Sequence, residues 1–150
     1  MRLSLLGPRT RPLSGYGQGV NTVSVGDLPQ EIGRLASDYF DVMYYQDMDT
    51  FDRVFHPESV LFGVIDGTLN IRPYGVYRQA VADRESPAQR GNTRRDAVLA
   101  FDQISPTLAL LKMRLEMFGG VMEDYLNLCY LDNQWWVVAK MWEKVADAQG

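Results

Sequence analysis

Residues 121–144 read VMEDYLNLCYLDNQWWVVAKMWEK. Two apolar runs, 121–131 and 134–144, flank the pair Asp132-Asn133, the pattern of two strands joined by a tight turn. With side chains alternating along a strand, Met122, Asp124, Leu126, Leu128 and Tyr130 share one face of the first run, and Glu123, Tyr125, Asn127 and Cys129 share the other. On the second run, Trp136, Val138, Lys140 and Trp142 share one face, and Trp135, Val137, Ala139 and Met141 the other. Residues 94–104 and 107–118 alternate in the same way, with breaks at Ser105-Pro106 and Gly119-Gly120. The last third of the chain therefore reads as four long antiparallel strands.

The preceding segment has a different period. Leu28, Ile32, Leu35, Tyr39, Val42 and Met43 recur at helical spacing, which predicts a helix over 28–46 with Asp27 as its N-cap and Pro29 in its first turn. Asp49 is positioned to cap a short second helix carrying Phe51, Val54 and Phe55. That helix should end before Pro57, in a turn His56-Pro57-Glu58-Ser59. The run 60–65 stops at Asp66-Gly67, a hairpin-turn pair, and Leu69–Ile71 returns as a short partner strand. Pro73 opens a third helix ending near Arg84. Three helices and a meander predict an α+β domain, with the helices packed in the concavity of a strongly curved, mostly antiparallel sheet.

At 150 residues the chain is sized for one core. Its net charge of −4 provides no basic field to gather phosphates, so nucleic acid is not expected as a partner. One cysteine, Cys129, and one histidine, His56, exclude a disulfide framework and a Cys/His zinc site, and neither metal nor cofactor is expected. Residues 1–26 hold three arginines and no acid, are rich in Gly, Pro and Ser, and read as a flexible tail ahead of a domain spanning 27–150. The Gly15, Gly17, Gly19 run within it follows no strand and is given no function. No segment has a signal-peptide core or the roughly 18 apolar residues of a membrane span, which leads to the expectation of a cytoplasmic protein with no membrane partner.

The helix IGRLASDYFDVMYYQDMDTFDRVF, the segment FHPES, the strand VLFGVIDG and the closing DYLNLCYLDNQWWVVAKMW resemble the nuclear transport factor 2 (NTF2)-like superfamily. This is the cone-shaped, cystatin-like α+β fold shared with ketosteroid isomerase and the SnoaL-type polyketide cyclases. FHPES, RESPAQRG and DYLNL with a Trp-rich last strand are most similar to its bacterial lumazine-binding branch. The resemblance implies a cavity between the sheet and the first helix, and a homodimer formed through the convex sheet face, with Leu126, Leu128 and Tyr130 at the interface. It also places Tyr39 at the isomerase's oxyanion-donor tyrosine, Asn127 near its second donor and Gly63 at its catalytic base. Gly63 has no proton acceptor on its side chain, so steroid-isomerase chemistry of that kind is rejected.

The expected function is binding of a small apolar or aromatic organic molecule by Tyr39, Met43, Phe55, Phe62, Asn127, Lys140 and Trp142. Two alternatives remain open. One is an isomerase, dehydratase or cyclase acting on a carbonyl compound, with Tyr39 and Asn127 polarising the oxygen and Asp66 or Asp38 as base. The other is a dimeric interaction module whose cavity is filled by its own side chains. Individual residues also have plainer roles: Tyr39 in the core with its hydroxyl on backbone, His56 capping a helix end, Cys129 as an inert thiol, and Lys140 packed along tryptophan rings. Arg84, Arg90, Arg94 and Arg95 read as solvated loop charges, or as a ring around a cavity mouth that would favour an anionic ligand.

Overall fold

The computed structural model describes residues 21–149; the Gly15–Gly19 run and most of the expected tail lie outside them. Helices α1 (Gln30–Tyr45) and α2 (Met48–Val54) precede strands β1 (Phe55–Ile65) and β2 (Thr68–Pro73). Helix α3 (Tyr74–Asp83) leads to strands β3 (Asp96–Ser105), β4 (Leu108–Met117), β5 (Gly120–Leu131) and β6 (Gln134–Asp147). The helices pack against an open, curved sheet of order β2-β1-β6-β5-β4-β3. Among the described residues only the β1–β6 pair is parallel. Residues just before α1 are tied to the sheet, since the Val23 amide donates to the Val98 carbonyl at 2.8 Å.

Local chemistry explains the boundaries and corrects several expectations. Helix α1 starts at Gln30 after Pro29, while Asp27 lies in a 3-10 turn and provides no side-chain cap. The carboxylate that caps α2 is Asp47, which accepts from the Asp49 and Thr50 amides and from the Thr50 hydroxyl, two residues upstream of the expected Asp49. His56–Ser59 forms no turn: it is the first part of β1, extended, with the register against β6 broken between Phe55 and Val60. His56 caps no helix; its Nδ1 accepts from the Glu58 amide at 3.0 Å and its ring meets Trp136 edge-on. Asp66-Gly67 is the expected hairpin turn, with both residues at positive φ. The β4–β5 turn is centred on Phe118-Gly119, one residue earlier than expected.

A bulge in β6 decides which of its side chains reach the interior. Asn127 pairs with Ala139 but Leu128 pairs with Val137, so Val138 has no partner across the ladder. One extra residue reverses the alternation, and the two faces expected for β6 exchange halfway along it. Trp135 and Val137 before the bulge, and Lys140 and Trp142 after it, all turn toward the helices, whereas Met141 is exposed. On β5 the alternation is unbroken, and Asp124, Leu126 and Leu128 face inward, opposite Trp142, Lys140 and Val137. Leu126 and Leu128 are completely buried beneath α1, so they belong to the core and not to a convex-face interface. Tyr130, on the same inner side, is half-buried against Trp135.

Candidate ligand cavity

In an aromatic layer Phe51 stacks on Phe55 at 4.4 Å with Tyr77 against both, and a cavity of about 230 Å³ lies between α1, α3 and the sheet. Met43 from α1, Tyr77 from α3, Leu61 from β1, Met117 and Phe118 from the β4–β5 turn, and Met122 and Trp142 supply most of its wall. Among these apolar groups stand Asp124, Lys140, Arg72 and Arg84.

Asp124 and Lys140 form the floor of the cavity. Both are almost fully buried, and the ammonium lies 3.7 Å from Asp124 Oδ2. Its other neighbours are the Tyr77 hydroxyl oxygen at 3.0 Å and Met43 Sδ at 3.6 Å, so each ammonium hydrogen has an acceptor in reach. The rings of Tyr39 and Tyr77 lie 5.3 and 5.2 Å from the charge. Burial works against the ammonium, but the Asp124 carboxylate and the Tyr77 hydroxyl outweigh it, and the Lys140 pKa lies above its ordinary value. The protonated, charged form of Lys140 is thus the favoured one at this position. Tyr39, fully buried below the cavity, donates its hydroxyl to Asp124 Oδ2. Burial first, and the Asp124 charge second, push its pKa well above the usual phenol value, which keeps the proton on the oxygen.

The mouth is built differently. Gln46 ends α1 in the left-handed conformation and grips Arg84 twice: its amide nitrogen donates to the Arg84 carbonyl at 2.7 Å, and its oxygen accepts from Arg84 Nε at 2.8 Å. The Arg84 guanidinium lies over the Phe118 ring at 5.0 Å, with Arg90 over the same ring at 5.2 Å. Phe118 itself sits at φ 53, a costly conformation for a bulky residue, and its amide is held by Asn92 Oδ1 at 3.0 Å.

A family model described as "Putative lumazine-binding" matches residues 29–143. The chain belongs to that family. Its structure is similar to an NTF2-like protein of unknown function from Silicibacter pomeroyi (16% identity over 81% of this chain and 99% of that one, TM-score 0.68). It is also similar to an NTF2-like protein of unknown function from Shewanella baltica (22% identity, 82% and 97% covered, TM-score 0.69). A cystatin-like fold protein from Burkholderia xenovorans aligns at 13% identity over 79% and 92%, with TM-score 0.62. At such identities the likeness establishes the NTF2-like fold alone. No curated protein sequence matches the chain.

In this lumazine-binding family member the structure brings together four of the seven residues expected at the site. Met43, Lys140 and Trp142 line the cavity, and Tyr39 reaches it through Asp124. Phe55 is closed off inside the aromatic layer. Phe62 is on the outer side of the sheet, in a groove with Val64, Tyr125 and Met141. Asn127 is exposed on that same outer side and donates nothing to the cavity. The polar partner of Tyr39 is Asp124, and the sequence carried its signal: a single carboxylate on the otherwise apolar strand face Met122, Leu126, Leu128, Tyr130. At Gly63 a Cβ would come within 2.8 Å of the Trp142 indole nitrogen, so the tryptophan occupies the space where a base would stand. Asp66 is in the exposed hairpin turn, and Asp38 lines a separate groove of about 480 Å³ near Arg34, Arg53 and Trp135.

Of the four arginines, Arg94 pairs with Asp41 and Asp96 at 2.8 and 2.7 Å, and Arg95 with Glu116 at 3.1 Å. These are surface ion pairs, and Arg84 is the member of the cluster that lines the cavity. Arg72 joins it from β2. Among the described residues no helix is long and apolar enough to cross a membrane.

Proposed function

We propose that the chain binds a small organic molecule in the cavity between α1, α3 and the sheet, and that it binds without turnover. The observation that carries this reading is a space of about 230 Å³ with an apolar wall and a buried, mutually satisfied Tyr39–Asp124–Lys140–Tyr77 floor. Such a mixture of apolar lining and a few fixed polar groups is characteristic of ligand sites. The volume lies below the roughly 300–1,000 Å³ of drug-sized pockets, which favours a compact ligand. Binding is preferred to catalysis because the acid–base groups of the floor are engaged with one another, and the carbonyl-polarising pair expected of an isomerase or dehydratase loses Asn127 to the outer face. The open volume also argues against a cone filled by its own side chains.

The test is a thermal-shift panel of small neutral and charged aromatic compounds, with lumazine included, run on the wild type and on Met122→Trp, which fills the cavity from β5. A shift present in the wild type and absent in the variant supports the reading. A panel without shifts, or shifts that persist in the filled variant, overturns it.

A homodimer through the outer sheet face is proposed as the assembly. Val64, Leu69, Ile71, Tyr125 and Met141 are exposed there, on neighbouring strands β2, β1, β6 and β5, and contiguous exposed apolar residues of this kind mark interaction surfaces. The interface residues are then these five and not Leu126 and Leu128.

A further inference from the structure

The cavity lining carries an excess of positive charge. Three cations, Arg72, Arg84 and Lys140, line it against one carboxylate, Asp124, although the whole chain is net negative. Asp124 is already shared by Lys140 and Tyr39, and neither arginine makes an ion pair among the described residues. Arg84 is the better defined of the two. Gln46 fixes its Nε, the Phe118 ring covers its flat face, and its Nη2 is buried with no hydrogen-bond partner among the described residues. A buried donor left unpaired is costly, and stacking on an aromatic ring engages the face of the guanidinium while its Nη groups, directed in the plane, keep their capacity to donate to a planar acceptor. Burial, with Arg72 adding to it, lowers the Arg84 pKa from its ordinary value, the direction expected of a cation lacking a counter-charge.

We propose that this cavity selects a compact organic carboxylate, with the carboxylate on the Arg84 edge, Arg72 supplying the second positive charge, and the apolar body against Met117, Met122 and Trp142. The proposal rests on the ligand-binding reading and names the chemical class. Carboxylate and guanidinium match as planar forks, and the apolar wall excludes a ligand that is polar throughout. Lys140 is already engaged, donating to the Tyr77 hydroxyl and to Met43 Sδ with the Asp124 carboxylate 3.7 Å away, so the anion falls to the arginines. The selectivity comes from charge pairing at the mouth, where a neutral ligand leaves the Arg84 guanidinium without a counter-charge.

Isothermal titration with benzoate and benzamide, two probes of nearly one shape, tests this in a buffer free of carboxylates. The wild type is expected to bind benzoate about tenfold or more tightly than benzamide, the effect of one charge-assisted hydrogen-bonded contact. Arg84→Met should abolish the preference, read as the ratio of benzoate to benzamide affinity within the same variant. Arg72→Met, which leaves the Gln46–Arg84 contacts untouched, should reduce it, and it serves as the check if Arg84→Met does not fold. Equal affinity for the two probes, or a preference that survives in both folded variants, overturns the carboxylate proposal. Neutral compounds that bind and are blocked by Met122→Trp, without any carboxylate preference, would sink this proposal and leave the ligand-binding reading standing. If no compound of either kind binds, both fall.

Discussion

Replacing Asp124 by Asn keeps the shape of the cavity floor and removes its only negative charge. At 3.7 Å, with an effective dielectric constant of about 20, the attraction between Asp124 and Lys140 is about 4.5 kcal/mol. That figure lies within the ~3–5 kcal/mol lost when one partner of a buried pair is deleted and the other charge stays behind. For a domain of this size each kcal/mol moves the melting temperature by about 2–4 °C, so Asp124→Asn should melt about 10–15 °C below the wild type at pH 7. The pH dependence gives a sharper check.

In the wild type the folded-state Lys140 pKa is raised, so its contribution is fully present below the unfolded lysine value of about 10.4 and is lost as pH climbs through the folded value. Between pH 8 and 9.5 both states hold the proton, and this residue adds no slope. In Asp124→Asn the main upward influence disappears and burial remains, which depresses the folded pKa. The unfolded state then binds more protons than the folded one, and stability rises with pH by up to about 1.4 kcal/mol per unit over the same window. Urea denaturation at half-unit pH steps measures it, and Asp124→Asn/Lys140→Met should recover part of the loss, since no charge is left stranded. A variant within 3 °C of the wild type and without the extra slope would refute the account of a buried ion pair.

Gly63→Ala should cost about 1–3 kcal/mol, because its Cβ would lie 2.8 Å from the Trp142 indole nitrogen and the ring would have to move; thermal melting and a change in tryptophan emission check this, and an unchanged emission spectrum would place the ring elsewhere. Gly67→Ala should lower stability by about 1–2 kcal/mol, since an L-residue at φ 75 is strained, while Gly75 in α3, with no positive φ and nothing within 4 Å, should accept alanine without loss. Met141→Glu with Tyr125→Glu should convert a dimer into a monomer by light scattering without lowering the unfolding midpoint of the monomer. A wild type that is monomeric at every concentration refutes the outer-face assembly.

Much of this fold was readable from periodicity. The four C-terminal strands, the Asp66-Gly67 hairpin and the three helices follow from alternation, helical spacing and turn residues, all set by neighbours within a few positions. The family resemblance added the cone, and residues 29–143 carry it. The site was readable only in part. Met43 and Trp142 came with their apolar faces, but Asn127 and Phe62 were assigned to a cavity on the opposite side of the sheet from where they stand.

The division has one physical reason. Alternation along β5 and β6 says which residues share a face of a strand, and that much the sequence determined alone. It does not say which face turns toward the helices, nor that Val138 lacks a partner and reverses the order of β6 halfway. Those outcomes depend on strand register and on how α1 packs, both of which join residues far apart in the chain. Asp124 illustrates it: a lone carboxylate on an apolar strand face in the sequence, it becomes the centre of the cavity floor only when folding brings Tyr39 from 85 residues away to donate to it and sets Lys140 beside it.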